Sequence, residues 1–228
     1  MEEQNGNMPG VSGLPQSVTR PFIDFTMGRY IQYETMRDQG LRIQALSTIS
    51  QLVQDLQELD AVYRKVLTQE LLEREWRVHR HLDYIPASLM NKVIVPLLNQ
   101  WRHDEPESPL PYRWLGIQEW NTDHLEQARR LDPDEITSRV VLVEQLIEQI
   151  QFSVQSLANF APGCLQAAVT WAEQARIIAA EISEFSLKHH LLEEVAKAFR
   201  TVDEWNTMWS AGTLPRTIFY GDGGPELC

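Results

Sequence analysis

The chain has 228 residues, and its 20 Lys and Arg against 32 Asp and Glu leave a formal net charge of −12. That field repels nucleic acid and anionic lipid at long range, so neither is an expected partner, whereas a basic protein would be drawn in. Hydrophobic residues make up 43%, enough for a packed core, yet no run reaches the ~20 apolar residues that span a bilayer.

Residues 1–20 are rich in Gly, Pro, Asn and Ser and read as a flexible arm, with neither the basic nor the apolar region of a secretory signal. A helical domain is expected over 21–212, in halves of about 21–103 and 114–212. Phe22, Phe25, Tyr30 and Tyr33 recur at helical spacing, with Gly28 weakening and Gly40 closing a first helix. Residues 41–82 lack Gly and Pro; Leu46, Ile49, Val53 and Leu56 make one apolar stripe, and Leu59, Tyr63, Val66 and Leu67 continue it out of phase. Either one helix of ~60 Å runs through, or the chain breaks near Asp60. Asp55, Glu58, Arg64, Lys65, Glu70, Glu73 and Arg74 read as its solvated face.

Pro86 suits the first turn of the next helix, whose apolar set runs from Leu89 to Trp101, and Pro96 inside it predicts a kink. Residues 103–113, HDEPESPLPYR, hold three prolines and read as a loop leading into Tyr112, Trp114, Leu115, Ile117 and Trp120. A short helix follows over 122–131. Then Asp132 is expected to cap the next helix, with Pro133 at its first position and Glu135 completing a capping box. Ile136, Val140, Val143, Ile147, Ile150, Val154 and Leu157 hold strict heptad phase, so this is a bundle helix.

Residues 160–163, FAPG, send the chain back antiparallel. Leu165, Ala168, Ala172, Ala175, Ala179 and Ile182 form one stripe, and Leu191, Val195, Ala198, Val202, Trp205 and Trp209 another. They join poorly between 183 and 190, which predicts two helices or a bend. Residues 213–228 are a Gly/Pro-rich tail with one β-prone stretch at 217–220. The fold class is therefore all-α, an antiparallel bundle of about six to eight helices, as one domain or two packed helical halves. Residues 125–135, LEQARRLDPDE, resemble the end of a tetratricopeptide repeat over about a third of one repeat. Gly116 of Trp114-Leu115-Gly116 stands only 17 residues before Pro133, against a family spacing of about 24, and no second copy follows.

Chemistry is sparse. The nucleophile-elbow, dinucleotide and phosphate-loop patterns are absent, and no Glu-x-x-His or His-Glu-x-x-His occurs. The cysteines, Cys164 and Cys228, offer no disulfide framework and no zinc spacing, and a cytoplasmic location is expected. His79 and His81, two apart, would point to different sides of a helix. His189 and His190 pair at i,i+4 with Glu193 and Glu194, so an inter-helix His/Glu site, metal-binding or enzymatic, is the alternative reading.

The leading expectation is a non-enzymatic, acidic interaction module without a cofactor, of immunity, antitoxin or adaptor type, binding another, basic protein. Its contact residues would be Tyr112, Arg113, Trp114 and Trp120, types that anchor interfaces, together with Glu144 and Glu148. The acidic pair belongs to a half, 132–204, with twelve acidic and five basic side chains. Self-association through residues 41–82, giving a homodimer, is a third reading.

Overall fold

The computed structural model describes residues 16–156 and 162–211. Among the described residues every regular element is helical, as the periodicities require. The order is α1 Gln16–Asp38, α2 Arg42–Glu58, α3 Ala61–His79, α4 Ala87–Leu89, a π-helical turn Met90–Ile94, α5 Val95–Asp104, α6 Pro109–Gln118, α7 Thr122–Leu131, α8 Ile136–Ser156, α9 Pro162–Ala180 and α10 Phe185–Ser210. They form two compact units, divided between Glu107 and Ser108. No described helix is long and apolar enough to cross a membrane. The tail from 213, Leu157, and the side chains of Val154, Cys164, Leu165, Trp205 and Trp209 lie outside the described residues.

In the first unit α1 begins at Gln16, earlier than the arm expected over 1–20. Residues 16–20 contain no breaker, and Pro21 is accommodated inside α1 with the loss of the backbone hydrogen bond its missing N–H would make. Gly40, at φ +75°, closes α1, with the Leu41 N–H reaching back to the Met36 carbonyl at 2.8 Å. The break near Asp60 is real: its carboxylate accepts the Val62 N–H at 2.8 Å and caps α3. The inward face of α2 is Ala45, Ile49, Leu52, Val53 and Leu56. Leu46, expected in that stripe, is 63% exposed, because it lies about 100° round the helix from Ala45. Arg74, expected on the solvated face, is half-buried and paired, as described below.

Pro96 produces a π-helical turn just before it. The ring removes the donor that the Lys92 carbonyl would otherwise meet, and that carbonyl accepts from Gln57 Nε2 at 3.4 Å. Lys65 ties α3 to α5, pairing with Glu105 at 2.7 Å and lying over the Trp101 ring.

The expected Pro-rich loop shrinks to residues 105–108, where the chain passes from the first unit to the second, since Pro109 and Pro111 open α6. The first N–H groups of a helix have no intrahelical partner, so proline costs nothing there. α6 and α7 form a hairpin through a Schellman turn: Trp120 adopts φ +53° and the Asn121 N–H reaches the Gly116 carbonyl at 2.9 Å. Asn121 then caps α7, accepting from the N–H groups of Asp123 and His124.

The cap of α8 is Glu135 rather than Asp132. Its two carboxylate oxygens accept the N–H groups of Thr137 and Ser138, each at 2.8 Å, while Asp132 closes a turn onto the Asp134 N–H. Val140, Val143, Ile147 and Ile150 are buried as expected, and so are Val141, Leu142 and Leu146, because α8 has α7, α9 and α10 around it. Ala168, Ala172, Ala175 and Ala179 bring α9 close to α8, and Leu191, Val195, Ala198 and Val202 face inward from α10. The stripe mismatch is resolved by a break between Ala180 and Phe185.

Candidate functional site

The aromatic residues expected to bind a partner separate into two groups. Trp114 is 0% exposed, with the buried Arg113 guanidinium 4.2 Å from its ring centroid, and Arg113 pairs with Glu135 at 3.1 Å. Both belong to the core of the second unit. Tyr112 is half-buried and tilted against His124, whereas Trp120 is 50% exposed. Glu148 is exposed on α8 and Glu144, one turn earlier, half-buried.

The sequence did not reveal the groove between α7, α8 and α9, about 460 Å³ in volume. Leu142, Leu146 and Ile178 floor it, Trp171 and the exposed Ile177 wall it, and Arg129 and Arg130 edge it. Arg129 is committed, to Glu181 at 2.6 Å and Glu126 at 3.0 Å. Glu181 also faces Arg139; burial works against its charge, but the two guanidiniums hold its carboxyl below the ordinary range. Arg130 is exposed and makes no ion pair with a described residue. Such a groove arises from two arginines at the end of one helix and apolar residues on two others, so no local pattern marks it.

His189, His190, Glu193 and Glu194 do not converge. His189 and Glu193 form an exposed pair at 3.3 Å beside Phe185; His190 is exposed, and Glu194 lies 3.9 Å from Lys197. Among the described residues, the ligand-type side chains that do converge are Glu34 of α1 with Glu75 and His79 of α3, each offering an atom within 4.8 Å of the other two.

Tyr30, Tyr33, Glu34 and Arg37 share one face of α1 at i, i+3, i+4 and i+7, and Leu71, Glu75 and His79 share one face of α3. Arg74 bridges the helices, donating to Glu34 Oε2 at 2.6 Å and to Glu75 Oε1 at 2.5 Å. Glu75 is 0% exposed; its Oε2 lies 3.7 Å from His79 Nε2 and has no hydrogen-bond partner, nor does the buried Tyr30 hydroxyl. Burial, then the Glu34 charge, push the Glu75 carboxyl above its ordinary range despite Arg74 and His79. Burial and both glutamates push the Tyr30 phenol upward too, so it remains an O–H donor.

The outer wall depends on Arg80, which ends α3 at φ +61° and turns the chain back. Leu82 and Ile85 bury, and Tyr84 stacks on His79 with ring centroids 4.1 Å apart. Arg37, paired with Asp38 at 3.1 Å, lies over Tyr33 and Tyr84. The available signal was Glu75 itself, a carboxylate in phase with Leu71 and Leu72 and four residues before a histidine.

No family model matches the chain, and no curated protein or solved structure matches it.

Proposed function

We propose that this chain is a non-enzymatic helical module that binds another protein through the α7–α8–α9 groove. The observation that carries this reading is the groove itself, an apolar floor of Leu142, Leu146 and Ile178 with the exposed Ile177, lined also by Gln149 and Gln174, beside Arg130, which makes no ion pair among the described residues. The segment it suits presents an apolar side chain with a carboxylate beside it, the group an arginine fork grips best. The net charge of −12 acts at longer range and favours approach by a protein that is basic elsewhere, consistent with an immunity, antitoxin or adaptor role.

Trp120 supports the same reading. A bulky residue at positive φ is strained, and such strain persists where the side chain has a use.

The test is capture from native extract by the wild-type chain, Arg130→Glu, Ile177→Asp, and Arg176→Glu as a control on the exposed outer face of α9. The same protein should be retained by wild type and control and reduced at least about tenfold by both groove variants. Equal capture by all four, or none at low or high salt, overturns the reading.

A further inference from the structure

We propose that Glu34, Glu75 and His79 form a binding site for one divalent transition-metal ion, which links α1 to α3. The three donor atoms lie within 4.8 Å of one another; tetrahedral bonds of about 2.0–2.3 Å set donors about 3.3–3.8 Å apart, so the side chains close in by up to about an ångström around the ion. Two carboxylates and one imidazole suit zinc and its first-row neighbours; magnesium and calcium prefer oxygen alone.

A self-contained ion cluster leaves its central oxygens satisfied, and this one does not. Arg74 takes one oxygen of each glutamate and brings one positive charge against two negative ones. Glu75 Oε2, wholly buried and facing the His79 imidazole, has no hydrogen-bond donor. A buried carboxylate oxygen without a partner is costly, and a cation at that point removes the cost. Arg37, paired with Asp38, acts on Glu75 only as a more remote charge and donates no hydrogen bond to its Oε2.

The surrounding groups also behave as a supporting shell. Arg74 fixes both carboxylates from behind, and Tyr84 stacked on His79 sets the imidazole plane. Three protein ligands leave a coordination position open, and the Tyr30 hydroxyl, buried without a hydrogen-bond partner, lies where the charges of both glutamates act on it.

The full-length chain, stripped with chelator, is titrated with Zn²⁺ by calorimetry and with Co²⁺ by visible absorption. The expected result is one saturating ion per chain, a Co²⁺ spectrum without thiolate bands, and a raised Tm when Zn²⁺ is present. His79→Ala, at a side chain 25% exposed, should fold normally and weaken Zn²⁺ at least tenfold, and Glu75→Gln should weaken it further. Glu193→Gln, in the exposed pair on α10, should bind as wild type. The proposal is overturned by no saturable Zn²⁺ binding at 100 µM, by binding that survives His79→Ala unchanged, or by thiolate bands. None of these results bears on partner capture, so the two readings stand or fall separately.

Discussion

Leu125 occupies the space in which residue 116 would carry a side chain. A Cβ built on Gly116 would stand 2.6 Å from Leu125 Cγ and 3.0 Å from the Leu125 backbone nitrogen. The α6–α7 hairpin is therefore closed by an absent methyl group. Gly116→Ala should destabilise the second unit by about 1–3 kcal/mol, the usual penalty of overpacking. Urea denaturation measures it. In a Leu125→Ala background much of that penalty should vanish, and a purely additive double-mutant cycle would refute the contact as its source.

Glu135 makes stability depend on acidity. Burial works to raise its pKa, but the Arg113 charge and the N–H groups of Thr137 and Ser138 prevail, so the folded value lies below the unfolded one. A depressed carboxyl stabilises fully above its unfolded pKa, near 4.3, and the contribution is lost as pH falls through the folded value. Glu135→Gln should lower stability at pH 7 by about 1–3 kcal/mol, because it removes the charge opposite the buried Arg113 guanidinium and weakens the cap of α8. It should also flatten the loss between pH 5 and the acid limb, read from Tm against pH.

Gln145 is buried at the centre of α8 with neither amide oxygen nor amide nitrogen hydrogen-bonded. Gln145→Leu removes two unsatisfied groups at similar volume and should stabilise by about 1–2 kcal/mol. A fall in the urea midpoint would indicate that the amide has a partner in solution.

Trp120 tests the trade between comfort and use. Glycine is the natural residue at its left-handed position, and Trp120→Gly should leave stability unchanged or raise it by up to about 1 kcal/mol. Partner capture should fall in the same variant. Lower stability with unchanged capture would make the indole a packing group only.

The long helices were legible because burial leaves a period: Val140, Val143, Ile147 and Ile150 repeat every three or four residues, and all are buried. Ends were harder. Proline at 109 and 111 suggests a loop to any reader who counts breakers, yet the first turn of a helix needs no donors. Asp132 reads as the cap of α8 and Glu135 only as the residue completing its capping box, yet Glu135 is the cap, held in place by Arg113, 22 residues earlier. The Glu34–Glu75–His79 cluster was hidden for another reason. Its members stand 41 and four residues apart, and only the packing of α1 on α3 makes them neighbours.

The wide turn at Met90–Ile94 also alters how the chain tolerates changes of length. Leu89, Val93, Leu97 and Trp101 are spaced by four, which in an unbroken α-helix drifts roughly a third of a turn over twelve residues, yet all four are buried. The turn absorbs one surplus residue and restores the phase. Deleting Asn91 would tighten the coil locally and leave the flanking segments aimed as before. Deleting Asn99 instead would swing Trp101 away from Lys65. The slack in this helix therefore lies immediately before the proline, where losing one codon would keep the phase of the flanking segments.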